Sequence, residues 1–297
     1  MRAQIIDSIF DQMKTNPDVF FLTADMGINL VEKFGEKYPD RYANVGIAEQ
    51  NLIGVSAGLA NLGFRPFAYT ISNFVIHRCF EQIRNDIAIH NYPVTLLGTS
   101  TGYDNPSLGP THHIIDEWGT LKSISKIDIY CPSSVSYAAK LVERILHAGR
   151  PAYVRIPKGG HKEPASEDHM VKLVGEADDI LLVSYGNPAQ ACIEVQRRDP
   201  RISVLVINRL SPLDEDALYG AIERHKRIII VEDHFPQSGL YGSLCEFIAR
   251  NPVRGKIETL APTDYSLEVG TSSDYFHRKY GINVSGILTT IGKQDGH

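Results

Sequence analysis

The chain has 297 residues, enough for two ordinary domains, and 43% of them are hydrophobic, enough to bury a full core. Charged residues make up 22% and the net charge is −5, which leaves no basic footprint for nucleic acid. No run of about 18 apolar residues offers a membrane span. Cys79, Cys131, Cys192 and Cys245 stand more than fifty positions apart, form no CxxC pair and read as small buried residues. A soluble cytoplasmic protein is the expectation.

In chain order, Ile5, Ile6, Ile9, Phe10 and Met13 fall at helical spacing and Pro17 closes the element. This is an amphipathic helix and not a signal peptide. VFFLTAD, Val19 to Asp25, is a continuous apolar run ending in an acid, the profile of a central parallel strand. Asn29 to Tyr38 predicts a short helix. Glu49 then stands three positions after Gly46, at the head of an apolar helical run through Ile53, Val55, Ala57, Leu59 and Ala60. A strand follows near Phe67 to Ile71, a longer helix over about Phe74 to His90, and a strand from Pro93 to Gly98.

Residues 99–125 break this rhythm with a long turn-rich loop holding adjacent His112 and His113, and loops of that length in a compact domain are usually functional. Regularity returns with the strand IDIYC, a helix with Ser133 or Ser134 as its cap, and the strand AYVRIP. The polar stretch Lys158 to Lys172 reads as the junction, giving domains of 1–160 and 176–297 around a linker at 161–175. Beyond it come DILLVSYG, a helix to Arg197, ISVLVINR, a helix over 214–225, RIIIVED, a helix over 239–250 and a strand near Ile257. The fold class is therefore α/β, with two domains in series, each a mainly parallel sheet flanked by helices.

Open sheets of this kind bind ligands at the carboxyl ends of their strands. That rule brings Asp25, the residues before Phe74 and the loop after Gly98 to one rim, and Glu49 as well if its helix begins there. Each has a plainer reading alone: Glu49 as a first-turn acid on a helix dipole, Asp25 as a cap, and Phe74, His77 and Phe80 as one core-facing stripe. His112 and His113 lack other ligands at metal-binding spacing. Gly98 to Gly102 has the form G-x-S-x-G around Ser100, but a hydrolase elbow needs a helix directly after the serine, and YDNPSLGP stands there instead. Gly239 to Gly242 opens a helix and offers a weak anion site.

Taken together and in order, TADMG at 23–27, NVGIAEQN at 44–51, SNF at 72–74, FEQIRND at 80–86, GPTHH at 109–113, VRIPKG at 154–159 and VEDH at 231–234 resemble the second half of a transketolase. The resemblance spans the chain and implies a pyrimidine-binding domain followed by a transketolase C-terminal domain, using thiamine diphosphate. It implies that Glu49 hydrogen-bonds the aminopyrimidine ring nitrogen and favours the imino form that deprotonates the thiazolium carbon, which calls for a carboxyl able to hold a proton near neutrality. By the same resemblance Phe74 stacks on the pyrimidine, His77 and Phe80 line the aromatic pocket, and Asp25 lies close to the cofactor. His112 faces the reacting carbonyl, Arg155 binds a substrate phosphate, and Arg2, 23 positions before Asp25, is a second phosphate-binding arginine.

The family's diphosphate half carries a GDG and a downstream Asn-Asn pair, and neither occurs in these 297 residues. The implied protein is the C-terminal subunit of a split transketolase, a heterotetramer with two copies each of this chain and an N-terminal partner that holds most of the Mg2+ or Ca2+ contacts. Substrate positions depart from the pattern: Leu108 replaces the acid before GPTH, Ser100 stands in place of a histidine, and Asn29 in place of a phosphate-binding serine. The expected activity is transfer of a two-carbon ketol unit from a ketose, of a non-standard kind, to an aldehyde in carbohydrate metabolism. The alternatives are a subunit of a 2-oxo-acid decarboxylating ligase or dehydrogenase, or a non-catalytic binding or regulatory subunit.

Overall fold

The computed structural model describes residues 1–159 and 171–292. The first half runs α1 (Arg2–Thr15), β1 (Val19–Thr23), α2 (Glu32–Lys37), β2 (Tyr42–Asn44), α3 (Glu49–Asn61), β3 (Arg65–Ile71), α4 (Phe80–Gln82), β4 (Thr95–Thr99), α5 (Glu117–Lys122), β5 (Asp128–Tyr130), α6 (Val135–Ala148) and β6 (Ala152–Ile156). The second half runs β7 (Val171–Val174), β8 (Ile180–Ser184), α7 (Pro188–Arg198), β9 (Ile202–Ile207), β10 (Arg209–Ser211), α8 (Glu215–Ile222), β11 (Arg227–Val231), α9 (Leu240–Arg250), β12 (Lys256–Leu260), α10 (Ser273–Lys279) and α11 (Val284–Gly292).

Two sheets result, in the orders β10-β5-β6-β4-β3-β1-β2 and β12-β11-β8-β9-β7. β1 to β6 are parallel throughout, with Thr23 opposite both Asn44 and Tyr69, and Ile71 and Ile156 opposite Thr99. The period of two along a strand sends neighbouring residues to opposite faces. Phe21, Phe67 and Leu97 join Ile5, Ile9 and Leu141 under α1 and α6, while Leu22, Ala68 and Leu96 join Leu52 and Ile53 of α3. The continuous apolar runs thus form strands with both faces covered. Ser134 caps α6, its Oγ accepting from Tyr137 N at 3.2 Å, and Gly149 ends that helix at φ 62°.

The structure corrects several expectations. The helix over Phe74 to His90 is two π-helical turns, Phe74–Arg78 and Ile83–Ala88, around the short α4. Val75, Ile76, Cys79 and Ile83 are buried along it and His77 is left at the surface. The helix expected from Asn29 begins only at Glu32, because Asn29 has φ 62°. The loop 99–125 contains α5, with Glu117, Trp118 and Leu121 buried. ISVLVINR breaks at Asn208, whose carbonyl accepts from Cys131 N at 2.9 Å and whose Oδ1 accepts from Ser133 N at 2.9 Å. The following β10 crosses back to pair antiparallel with β5, closing an edge of the first sheet. Within the expected junction, residues 160–170 lie outside the described residues, but Val171 and Lys172 already begin β7, antiparallel to β9. Cys79, Cys131 and Cys192 are buried as expected, whereas Cys245 is exposed.

One core cluster spans both halves. A single buried cluster runs from Leu52, Ile53 and Ile83 through Trp118, Cys131 and Tyr185 to Leu181, Leu205, Ile230 and Leu244. No helix among the described residues is long and apolar enough to cross a membrane.

Candidate active site

Because the six strands are parallel, their carboxyl ends share one rim, and four of them deliver a candidate residue there. β1 leads into Asp25, at φ 50°, where Asn44 at the end of β2 locks the turn: Asp25 N donates to Asn44 Oδ1 at 2.9 Å and Asn44 Nδ2 donates to Asp25 Oδ1 at 3.2 Å. β2 leads through Gly46, at φ 76°, to Glu49, the first residue of α3 and only 2% exposed. β3 leads to Phe74, and β4 to Ser100, buried at φ 66°. After Ser100 the chain turns into a short 3-10 segment, Pro106–Leu108, so no hydrolase elbow forms.

Glu49, Phe74 and His112 converge. The His112 ring stands edge-on to Phe74 at 5.3 Å, and Asn73 Nδ2 donates to Thr111 O, tying the GPTHH loop to the Phe74 turn. Arg78 joins the other two: its Nη1 donates to Glu49 Oε2 at 2.5 Å while its guanidinium lies 4.8 Å over the Phe74 ring. A flat group bearing N–H donors therefore fits against Phe74 and Glu49 together, which is the pair of contacts an aminopyrimidine needs. His77 Nε2 pairs with Asp116 Oδ1 at 2.9 Å, and this hydrogen bond raises the histidine above its ordinary pKa. Phe80 instead packs on the core cluster containing Leu52 and Ile53.

The outlying candidates divide. Arg2, exposed at the start of α1, acts on Tyr69, whose ring lies against Gly27 in the turn after Asp25. Asn29 ends that turn, exposed, with its N–H on Glu32 Oε1 at 2.8 Å. Arg155 stands near the carboxyl end of β6, opposite Gly98, but is sealed: it is 1% exposed, with Nε on Glu117 Oε1 at 2.6 Å and Nη2 3.1 Å from Asp233 Oδ1. A fully buried cation requires such partners, and they compete with the expected role on a substrate phosphate. His112 and His113 also part company, since His113 is buried between Tyr103 at 5.0 Å and Phe276 at 4.8 Å, and burial lowers its pKa.

Sequence reasoning missed the role of VEDH. Glu232 receives Leu240 N at 2.8 Å, Tyr241 N at 3.0 Å and the Tyr185 hydroxyl at 3.1 Å. The helix terminus after Gly239 is thus occupied by the chain's own Glu232 side chain. Burial pushes Glu232 up to about 8. Asp233 faces Arg155, and His234 Nε2 accepts from Trp118 N at 3.2 Å, with burial lowering the imidazole's pKa. The motif seals the seam between the halves. The only available signal was an apolar strand ending in three polar residues. No group of three or more His, Cys, Asp or Glu among the described residues is placed to hold a metal.

Comparison with known proteins defines the class. Residues 2–162 match the transketolase pyrimidine-binding domain and residues 169–287 the transketolase C-terminal domain. The chain belongs to the transketolase family. The pyrimidine-binding domain implies thiamine diphosphate as the cofactor. An apulose-4-phosphate transketolase subunit of Phocaeicola vulgatus is 28% identical, covering 97% of this chain and 95% of that one. The 1-deoxy-D-xylulose-5-phosphate synthase of Clostridium perfringens is 30% identical over 94% of this chain but only 46% of its own length. A solved structure described as a split gene transketolase, an inactive β4 tetramer, superposes with TM-score 0.86 at 23% identity, covering 98% of this chain and 97% of that one.

Proposed function

We propose that this chain is the pyrimidine-site subunit of a two-chain thiamine-diphosphate transferase that moves a two-carbon ketol unit from a ketose to an aldehyde. The observation that carries the reading is the buried Glu49 carboxylate joined through Arg78 to the Phe74 ring, with His112 edge-on to that ring. When bound, thiamine diphosphate supplies the carbon nucleophile of the reaction. Glu49 holds and returns a proton at the pyrimidine nitrogen, and Phe74 orients the ring by stacking. Asp25, His77 and the more distant Phe80 complete the cofactor side. His112 gives a proton to the carbonyl oxygen of the sugar.

The GDG and Asn-Asn elements come from an N-terminal partner, which holds most of the Mg2+ or Ca2+ contacts, with two copies of each chain in the assembly. Two relatives of nearly the same length, from Phocaeicola vulgatus and Actinobacillus succinogenes, are each described as one subunit of a transketolase, which supports this division. Arg2, Asn29, Ser100 and His112 serve the substrate, with pyrimidine-binding residues at 1–160 and C-terminal-domain residues at 176–297. Leu108, more than half exposed where the family has an acid, favours a sugar phosphate of the apulose-4-phosphate type over the common pentose phosphates. The similarity to deoxyxylulose-phosphate synthases supports decarboxylating ligation of a 2-oxo acid as the second reading.

Native mass spectrometry on the tagged chain from its own host tests the proposal. A second protein, thiamine diphosphate and a divalent metal are expected, followed by ketol transfer in the purified complex. Recovery of this chain alone, with no cofactor after adding thiamine diphosphate, magnesium and host extract, overturns it in favour of a non-catalytic subunit. Turnover of a 2-oxo acid and not of a ketose selects the second reading.

A further inference from the structure

The C-terminal domain reaches the candidate site through residues 261–272, the segment that joins β12 to α10. Tyr265 in that segment donates its hydroxyl to Asp116 Oδ2 at 2.6 Å, and the other carboxylate oxygen of Asp116 meets His77 Nε2 at 2.9 Å. The three side chains form a continuous chain from the C-terminal domain to the segment that carries Phe74. The same segment also braces the His112 loop, since Gly270 N donates to Pro106 O at 2.9 Å and Val269 lies against Gly109.

The segment is built to hold this position. The Tyr265 ring packs edge-on against Phe235 at 4.8 Å, and Phe235 N donates to Ile115 O at 2.7 Å, one residue before Asp116. Lys279 of α10 holds Ser266 Oγ at 3.1 Å and Glu268 at 2.8 Å, and the Tyr275 hydroxyl donates to Glu268 at 2.6 Å.

We propose that Tyr265 is a positioning residue of the active site, acting through Asp116 to fix the orientation and charge of His77 in the cofactor cleft. The inference rests on the reading of Phe74 to Phe80 as the cleft wall. With Nε2 committed to Asp116, the His77 ring can turn only with that carboxylate, and its Nδ1 has no partner among the described residues. A histidine held by a carboxylate that is itself held is the arrangement by which general acids and bases are oriented. Nδ1 is then the ring nitrogen left to meet a group of the bound cofactor. The ionisable groups around His77 are Asp116 and Glu117 at the head of α5, Tyr265 from the C-terminal domain and Arg78 on its own turn, with His234 acting on Asp116 from behind. Hydrogen bonding to Asp116 raises both His77 and Tyr265, the latter to about 12.

The test is the titration of His77 in the full chain labelled in its histidine rings, with its signals assigned by loss in His77→Gln. Asp116→Asn removes the carboxylate and is expected to lower the midpoint by about one pH unit. Tyr265→Phe keeps the packing on Phe235 but concentrates negative charge on the oxygen facing His77, and should raise the midpoint by about 0.3 of a unit. Tyr265 is 53% exposed, so this substitution leaves the fold intact. General loosening would not move the two variants in opposite directions. An unchanged midpoint in Tyr265→Phe overturns the proposal, and so does a fall. These measurements need neither partner nor turnover, so their failure is separate from failure of the transferase reading. In the active complex the pH profile of kcat/KM should follow the two midpoints; a profile that ignores them overturns the role in turnover.

Discussion

Arg78 and Glu49 are bound to each other across the candidate cofactor cleft, with Nη1 2.5 Å from Oε2 and the guanidinium lying over Phe74 at 4.8 Å. The two groups assigned to the pyrimidine are therefore engaged by a side chain of the same chain. Arg78 is about half exposed and Glu49 nearly sealed, so the arginine can leave while the carboxylate cannot. Replacing Arg78 by Gln is expected to tighten thiamine-diphosphate binding by up to about fivefold, the equivalent of about 1 kcal/mol for a half-exposed pair. Isothermal titration of the complex reads this directly, and weaker binding would show that the arginine helps to hold the cofactor.

Glu49→Gln should keep the fold, since the amide fills the same space at the start of α3, but cannot exchange a proton with the ring nitrogen. Turnover is expected to fall by about 10²–10⁴-fold with the melting temperature little changed. Near-native turnover would sink the assignment of Glu49.

Arg155→Met addresses the seam between the domains. It leaves Glu117 and Asp233 buried without their cation. Removing one partner from such a group costs about 3–5 kcal/mol, measurable by urea denaturation. Were Arg155 a substrate-phosphate ligand, the variant would instead raise KM while stability held.

The buried Glu232 predicts a pH dependence of stability. Its folded pKa, raised to about 8 by burial, lies above the ordinary 4.5, so between those values the folded chain holds a proton that the unfolded chain has released. The contribution is complete below about 4.5 and is lost as pH rises through about 8. Within that window stability falls by about 1.4 kcal/mol per pH unit from this group. Urea unfolding between about pH 5.5 and 7.5 should show a flatter slope in Glu232→Gln than in the parent chain, and equal slopes would refute the assignment.

Most of the architecture was legible in the sequence, because a strand covered on both faces must be apolar throughout and the helices between must be amphipathic. VFFLTAD, the Glu49 helix and RIIIVED follow from that rule alone. The rim followed too, since parallel strands all end on one side, which brings Asp25, the residues before Phe74 and the loop holding Ser100 together, with Glu49 joining them only if its helix begins there. Arrangements set by contacts between residues far apart in the chain were out of reach. Local periodicity could not show that the Phe74 helix widens into π turns, that α5 lies inside the turn-rich loop, or that Asn208 sends β10 back to the first sheet. Nor could it distinguish a cleft arginine from a sealed one, because the charge of Arg155 is tolerated inside only through Glu117, thirty-eight positions away, and Asp233 in the other domain. The sequence alone determined the transketolase family and marked Glu49 as the carboxylate to test. Tertiary structure decided which polar residues face the cleft and which seal the seam, since the cost of burying a charge is set by partners that only folding brings together.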